Sequence, residues 1–296
     1  MNFAPLTLDD VGLVRRYFND FGSGLCDYTV GGTVMWRDYF GTCFAEEDGV
    51  LYFRTDDGAG GHSYSMPVTP DDAARLAGLD ALARQARGEG QRLVISKISS
   101  EHLPMVVARF PDAAVESDPD WFDYVYDSAE FIALRGKKYS GQRNHINQFQ
   151  RTWPDWRAET VGPDDLAAVS EFFTRYAQSR DKIYDSFYAE EEKVREVLEH
   201  MEVYGFFGTA LWAGGRVVAF SMGEVQGDTL FVHIEKADRN CPGAYQMISH
   251  CFAEQWGGNV RFLNREEDVG DEGLRISKQS YHPVKLLEKF TIRADV

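Results

Sequence analysis

Apolar residues recur at helical spacing in some stretches of the chain and crowd into short runs in others. Thr7-Leu-Asp-Asp10 sets a capping residue three positions ahead of an acid, and Val11, Val14 and Phe18 follow on one face, which predicts a helix. Apolar runs over 33–44 and 50–53, separated by the acidic turn 46–49, predict strands. Thr69-Pro70-Asp71-Asp72 opens a second helix, with Pro70 at its first position and Leu76, Leu79 and Leu82 turned inward. The run 93–98 reads as a buried strand.

The second half alternates more clearly. A strand over 156–161 leads through Gly162-Pro163-Asp164-Asp165 into a helix with Leu166, Val169, Phe173 and Tyr176 on one face. Another helix presents Val194, Val197, Leu198 and Met201 and stops before Gly205. Runs at 206–212, 216–223 and 229–236, joined by short turns, predict a meander of hairpins. A helix over 245–256 then gives a crossover long enough to lay strand 259–264 parallel to its neighbour. A last helix over 272–280 and an extended tail over 283–292 complete the expected domain. This order resembles the GNAT acyltransferase fold, an α+β fold whose fourth and fifth strands splay apart beside the acyl donor. The resemblance puts 229–236 and 259–264 at that splay.

A chain of 296 residues is long enough for two domains. It has no run of 18 apolar residues to span a bilayer, and its start lacks the order of a signal peptide, so a cytoplasmic protein is expected. The formal charge is −16, which disfavours DNA and general nucleic-acid binding. Cys26, Cys43, Cys241 and Cys251 form no C-x-x-C pair, and there is no H-E-x-x-H, so the thiols read as small core residues and no metal is expected. Against this acidity stands one basic island: Arg135, Lys137, Lys138, Arg143, His145 and Arg151, with no acid between Glu130 and Asp155. Two readings stand for it. It is an anion site for the phosphates of CoA, tRNA or a lipid head group. Alternatively, its cations pair with the preceding acids, Glu116 to Glu130.

Two further features carry chemistry. Arg239-Asn-Cys-Pro-Gly-Ala244 resembles the loop with which GNAT enzymes hold the pyrophosphate of acetyl-CoA at a helix N-terminus. Pro242 has no N–H to offer there, which counts against acetyl-CoA. At the expected splay, alternation places His233 and Glu235 on one face, with Asn264 and Glu266 on the adjoining strand. His233, Glu235 or Glu266 would serve as base for an acyl transfer, and Tyr281 as proton donor. The competing reading is a structural network of His, Glu and Arg, with Tyr281 in the core.

GKKYSGQRNHINQF, VHIEKADRNCPGAYQMI, NREEDVGDEGLRISKQSYHPV and the closing LLEKF together resemble an uncharacterised bacterial family grouped with the C-terminal domain of phosphatidylglycerol lysyltransferases. The resemblance implies two tandem GNAT-like domains, related to the peptidoglycan-bridge aminoacyltransferases. Residues 1–134 would form the first, 135–155 a basic connecting helix and 156–296 the second, catalytic one. It implies transfer of an aminoacyl or acyl group from an activated ester such as aminoacyl-tRNA to an amine or hydroxyl of a small molecule, peptide or lipid head group. The motif positions also include Asn144 and Lys236. Lys137, Lys138, Arg143, His145, Arg239 and Tyr245 would bind the donor, with charged tRNA meeting the local basic patch. Asn264, Arg265 and Lys278 would orient the acceptor. An acetyl-CoA-dependent N-acetyltransferase and a non-catalytic module for an anionic ligand are the alternatives. The missing membrane bundle weighs against a lipid acceptor.

Overall fold

The computed structural model describes residues 1–56, 61–179 and 185–296, and the side chains of all of these except 185–187. Helices flank two seven-stranded mixed sheets, an α+β architecture. The first sheet runs Ala4–Pro5, Cys43–Glu47, Val50–Asp56, His62–Tyr64, Leu93–Ser99, Lys289–Ala294 and Ala114–Ser117. The second runs Arg157–Thr160, Phe207–Ala213, Arg216–Gln226, Thr229–Ala237, Phe262–Asn264, Asp123–Asp127 and Lys285–Leu287. In each sheet the first four strands are antiparallel neighbours and the fourth and fifth are parallel.

The compact units do not follow a linear split. One comprises residues 1–123, 267–270 and 286–296, and the other 124–266 and 271–285. The tail expected to finish the second domain instead inserts Lys289–Ala294 between Leu93–Ser99 and Ala114–Ser117, where Phe290 faces Ile98 and Ile292 faces Ile95. Asp123–Asp127, before the expected boundary at 134, lies in the second sheet with Val125 opposite Asn264. Local patterning reports that a segment is extended and not which distant strand completes its ladder.

In the first unit, Val11–Phe21 buries Val11, Val14, Phe18 and Phe21, and the Thr7 N–H donates to the Asp10 carboxylate at 2.9 Å. Asp71 caps Asp72–Gly88, whose inner face is Leu79, Leu82, Ala83 and Ala86; Leu76 is exposed. The strand expected over 33–44 is instead a π-helical turn, Gly31–Met35, followed by an aromatic turn and then strand Cys43–Glu47. An apolar run without alternation fits a buried helical turn as well as a strand, and here Val34 and Met35 are buried from a helical turn. The Tyr28 hydroxyl accepts from Met66 N–H at 3.1 Å and donates to the Lys97 carbonyl at 2.9 Å, spanning the gap that opens after Tyr64 and Ile95 pair. Beside it the Lys289 ammonium is buried among Asp27 and Asp123 at 2.7 Å and Glu267 at 3.2 Å.

In the second unit, Ala244–Trp256 packs Met247, Ile248 and Phe252 into a core with Leu211, Val218, Leu230 and Leu263. Leu166–Gln178 sets Phe172 and Phe173 edge-on to Phe220. Ser140–Thr152, the expected basic helix, buries Ile146 and Phe149, leaves Arg143 half-buried and exposes His145 and Arg151.

Candidate functional site

Strands Thr229–Ala237 and Phe262–Asn264 pair from Thr229↔Phe262 to Phe231↔Asn264 and then part, the first running on to Ala237. The chain leaves the shorter strand through Arg265 and Glu266, the latter at φ 58°. Both residues are pinned from two sides. Tyr124 exchanges backbone hydrogen bonds with them, and the Lys278 ammonium donates to their carbonyls. The Glu266 N–H also donates to Asn264 Oδ1 at 2.8 Å.

Against Arg216–Gln226 the register passes from Gly223↔Val232 to Met222↔Ile234, so His233 is the extra residue of a bulge. Bulges re-aim side chains, and this one puts the His233 ring between two carboxylates. Nδ1 lies 2.7 Å from Glu266 Oε1 and Nε2 lies 3.0 Å from Glu224 Oε1. Phe206 stacks on the ring at 5.1 Å. Burial alone would lower the imidazole pKa, but the hydrogen bonds and charges of Glu224 and Glu266 outweigh it and raise it to about 10. At neutral pH His233 is therefore a cation with both nitrogens engaged, which does not suit the role of base expected of it.

Glu235 has other partners. Its Oε1 accepts from Arg265 Nη2 at 2.7 Å, and the guanidinium lies over the Tyr281 and Phe131 rings. Arg265 Nη1 is buried with no hydrogen-bond partner. Burial opposes the arginine's charge, but Glu235 more than compensates and raises its pKa. Tyr281 is buried, stacked on Phe131 at 4.7 Å, and its phenol pKa is raised by that burial. Asn264 and Lys278 are buried too and hold the loop just described; the structure shows their polar groups on backbone, at 264 and 278 alike.

The donor candidates divide. Lys137, His145 and Arg239 are exposed, as are Arg135, Asn144 and Arg151. Lys138 pairs with Glu130 at 2.7 Å, and Arg143 donates to the carbonyls of Leu134 and Gly136. Lys236 pairs with Glu190 at 2.5 Å and lies over the Tyr176 ring. Tyr245 hydrogen-bonds to Tyr176 and to the Ala237 backbone, and burial raises its phenol pKa. Gly243 caps Ala244–Trp256 at φ 84°, and the His145 carbonyl stands over it. Glu224 was missed from sequence; its only signal was an acid inside the apolar run 216–225.

The profile of the family described as "Phosphatidylglycerol lysyltransferase, C-terminal" matches residues 18–293. The chain belongs to that family. A conserved protein of unknown function from Bacteroides thetaiotaomicron is 30% identical over the full length of both chains, with a TM-score of 0.92. L-PGS from Bacillus licheniformis shares the fold at a TM-score of 0.67 and 13% identity, over 96% of this chain and 91% of that one. FemX shares it at 0.56 and 9% identity, over 98% and 97%. Both sheets are GNAT-like, in tandem. An uncharacterized protein of Mycoplasmoides gallisepticum is 21% identical over 205 residues, 69% of this chain; the match spans 65% of that protein, less than two thirds of its length. Among the described residues no helix is long and apolar enough to cross a membrane.

Proposed function

We propose that the protein transfers an aminoacyl group from an activated ester, such as aminoacyl-tRNA, to an amine or hydroxyl acceptor at the splay of the second unit. The family and fold are those of transferases. The observation that carries the reading is the gathering of Glu235, Arg265, His233 and Glu266 where the two parallel strands separate. In the transfer, the acceptor's nitrogen or oxygen bonds to the ester carbonyl carbon, the ester C–O bond breaks, and the acceptor's proton passes to a carboxylate and on to the leaving oxygen, which departs as the donor's hydroxyl. Glu266, partly exposed and fixed by its backbone contacts, is the proposed proton acceptor. Arg265 supplies the N–H donors proposed for the carbonyl oxygen, with Glu235 orienting it. An aminoacyl ester is already activated, so positioning supplies much of the rate.

Acetyl-CoA fits less well. Pro242 lacks an N–H, and the His145 carbonyl and Phe149 side chain cover Gly243 at the helix N-terminus where a pyrophosphate would lie. The exposed cations Arg135, Lys137 and Arg151 are the proposed contacts for the donor's phosphates. Transfer of labelled amino acid from a charged tRNA pool to cell extract tests the reading. Glu266→Gln should abolish transfer while leaving the fold intact, and Glu235→Gln should lower it. A thermal shift with acetyl-CoA, together with no transfer from charged tRNA, would overturn it.

A further inference from the structure

We infer that Glu224 is a positioning residue for this transfer: from the sheet's interior it holds the His233 ring against Glu266. The inference rests on the reading of Glu266 as proton acceptor. Of the three, the Glu266 side chain is the most exposed at 23%, against 1% for His233 in the middle of the row and 8% for Glu224 at its far end. Two carboxylates share one imidazolium, and the more exposed of them, Glu266, is the one a substrate can reach.

Glu224 sits on Arg216–Gln226 opposite Phe231, beyond the bulge that swings His233 toward it. Without the bulge the histidine would follow ordinary alternation. Phe206 on the ring face and the two hydrogen bonds leave the imidazole a single orientation. Glu224 thus competes with Glu266 for one cation. Replacing it with glutamine leaves His233 to Glu266 alone, which makes Glu266 a weaker base.

Among the described residues, the charged groups hydrogen-bonded to His233 are Glu224 from its neighbouring strand and Glu266 from the loop. The first test is the nitrogen NMR signature of His233 in the whole chain. Wild type should show a doubly hydrogen-bonded imidazolium that persists well above pH 8. In Glu224→Gln the midpoint should fall by at least about one pH unit. The second is the transfer assay against pH. In Glu224→Gln, kcat should fall with KM unchanged, and its acidic limb should move to lower pH; Glu224→Asp should recover part of both. An unmoved midpoint, or a moved midpoint with an unmoved pH profile, overturns the role of Glu224. Should Glu224→Gln fail to fold, a neutral or singly bonded His233 in wild type at pH 7 overturns it as well. Full transfer by Glu266→Gln would instead overturn the reading of the site, so the two failures are distinguishable.

Discussion

The carbonyl oxygen of His145 stands 2.2 Å from where a Cβ on Gly243 would begin. The helix Ser140–Thr152 therefore touches the cap of Ala244–Trp256 backbone to backbone, with Phe149 alongside. Gly243 is also left-handed, at φ 84°, a conformation that a side chain disfavours. Gly243→Ala should lose about 2 kcal/mol or more of stability in chemical denaturation, from clash and backbone strain together. A loss comparable to an exposed helix substitution would show that the two helices do not meet as closely.

The His233 proton should be visible in the pH dependence of stability. Its pKa is raised from the ordinary histidine value to about 10 in the fold. Its contribution is then fully present below the unfolded value near 6.5 and is lost as pH climbs from there toward about 10. His233→Gln should flatten that alkaline decline in urea titrations. An equal slope in both proteins would mean that the ring is not charged in the fold.

In the first unit, Lys289 is the cation to which Asp27, Asp123 and Glu267 all turn. Burial opposes its charge, but the carboxylates win and raise its pKa well above the ordinary lysine value. Lys289→Met leaves those acids without it and should cost about 3–5 kcal/mol. Its strand pairs on one side with Leu93–Ser99 and on the other with Ala114–Ser117, so the loss should appear as lost hydrogen-exchange protection in those two strands. Uniform protection with an unchanged midpoint would refute this.

Two lysines from different motif segments should behave oppositely. Lys278 donates to the carbonyls of Arg265 and Glu266, so Lys278→Met should destabilise by about 1–3 kcal/mol through unmade buried hydrogen bonds. Lys137 is exposed on its turn, so Lys137→Ala should leave the melting temperature unchanged. It should instead weaken binding of charged tRNA and shallow its salt dependence, measured by titration at several salt concentrations. Equal binding by wild type and Lys137→Ala would remove this lysine from the donor contacts.

The elements legible in sequence were those whose own periodicity decides them. Val11–Phe21, the meander from Phe207 to Ala237, and Ala244–Trp256 formed where spacing and turn residues placed them. The parallel step to Phe262–Asn264 followed from the length of its crossover. Residues Glu235, Arg265, His233 and Glu266 were legible as candidates because polar side chains interrupt strands that would otherwise bury well. Their pairing was not legible, because a one-residue bulge sets which side chain His233 meets.

Sequence alone determined the α+β class, the basic helix in an acidic chain, and the two strands that part. Tertiary structure decided which sheet the closing strand joins, that Glu224 completes the row through His233, and that His145 covers Gly243. The reason is one of range. Periodicity and capping act within a few residues along the chain, while ladder partners, ion pairs and backbone approach depend on segments that only folding brings within a few ångströms.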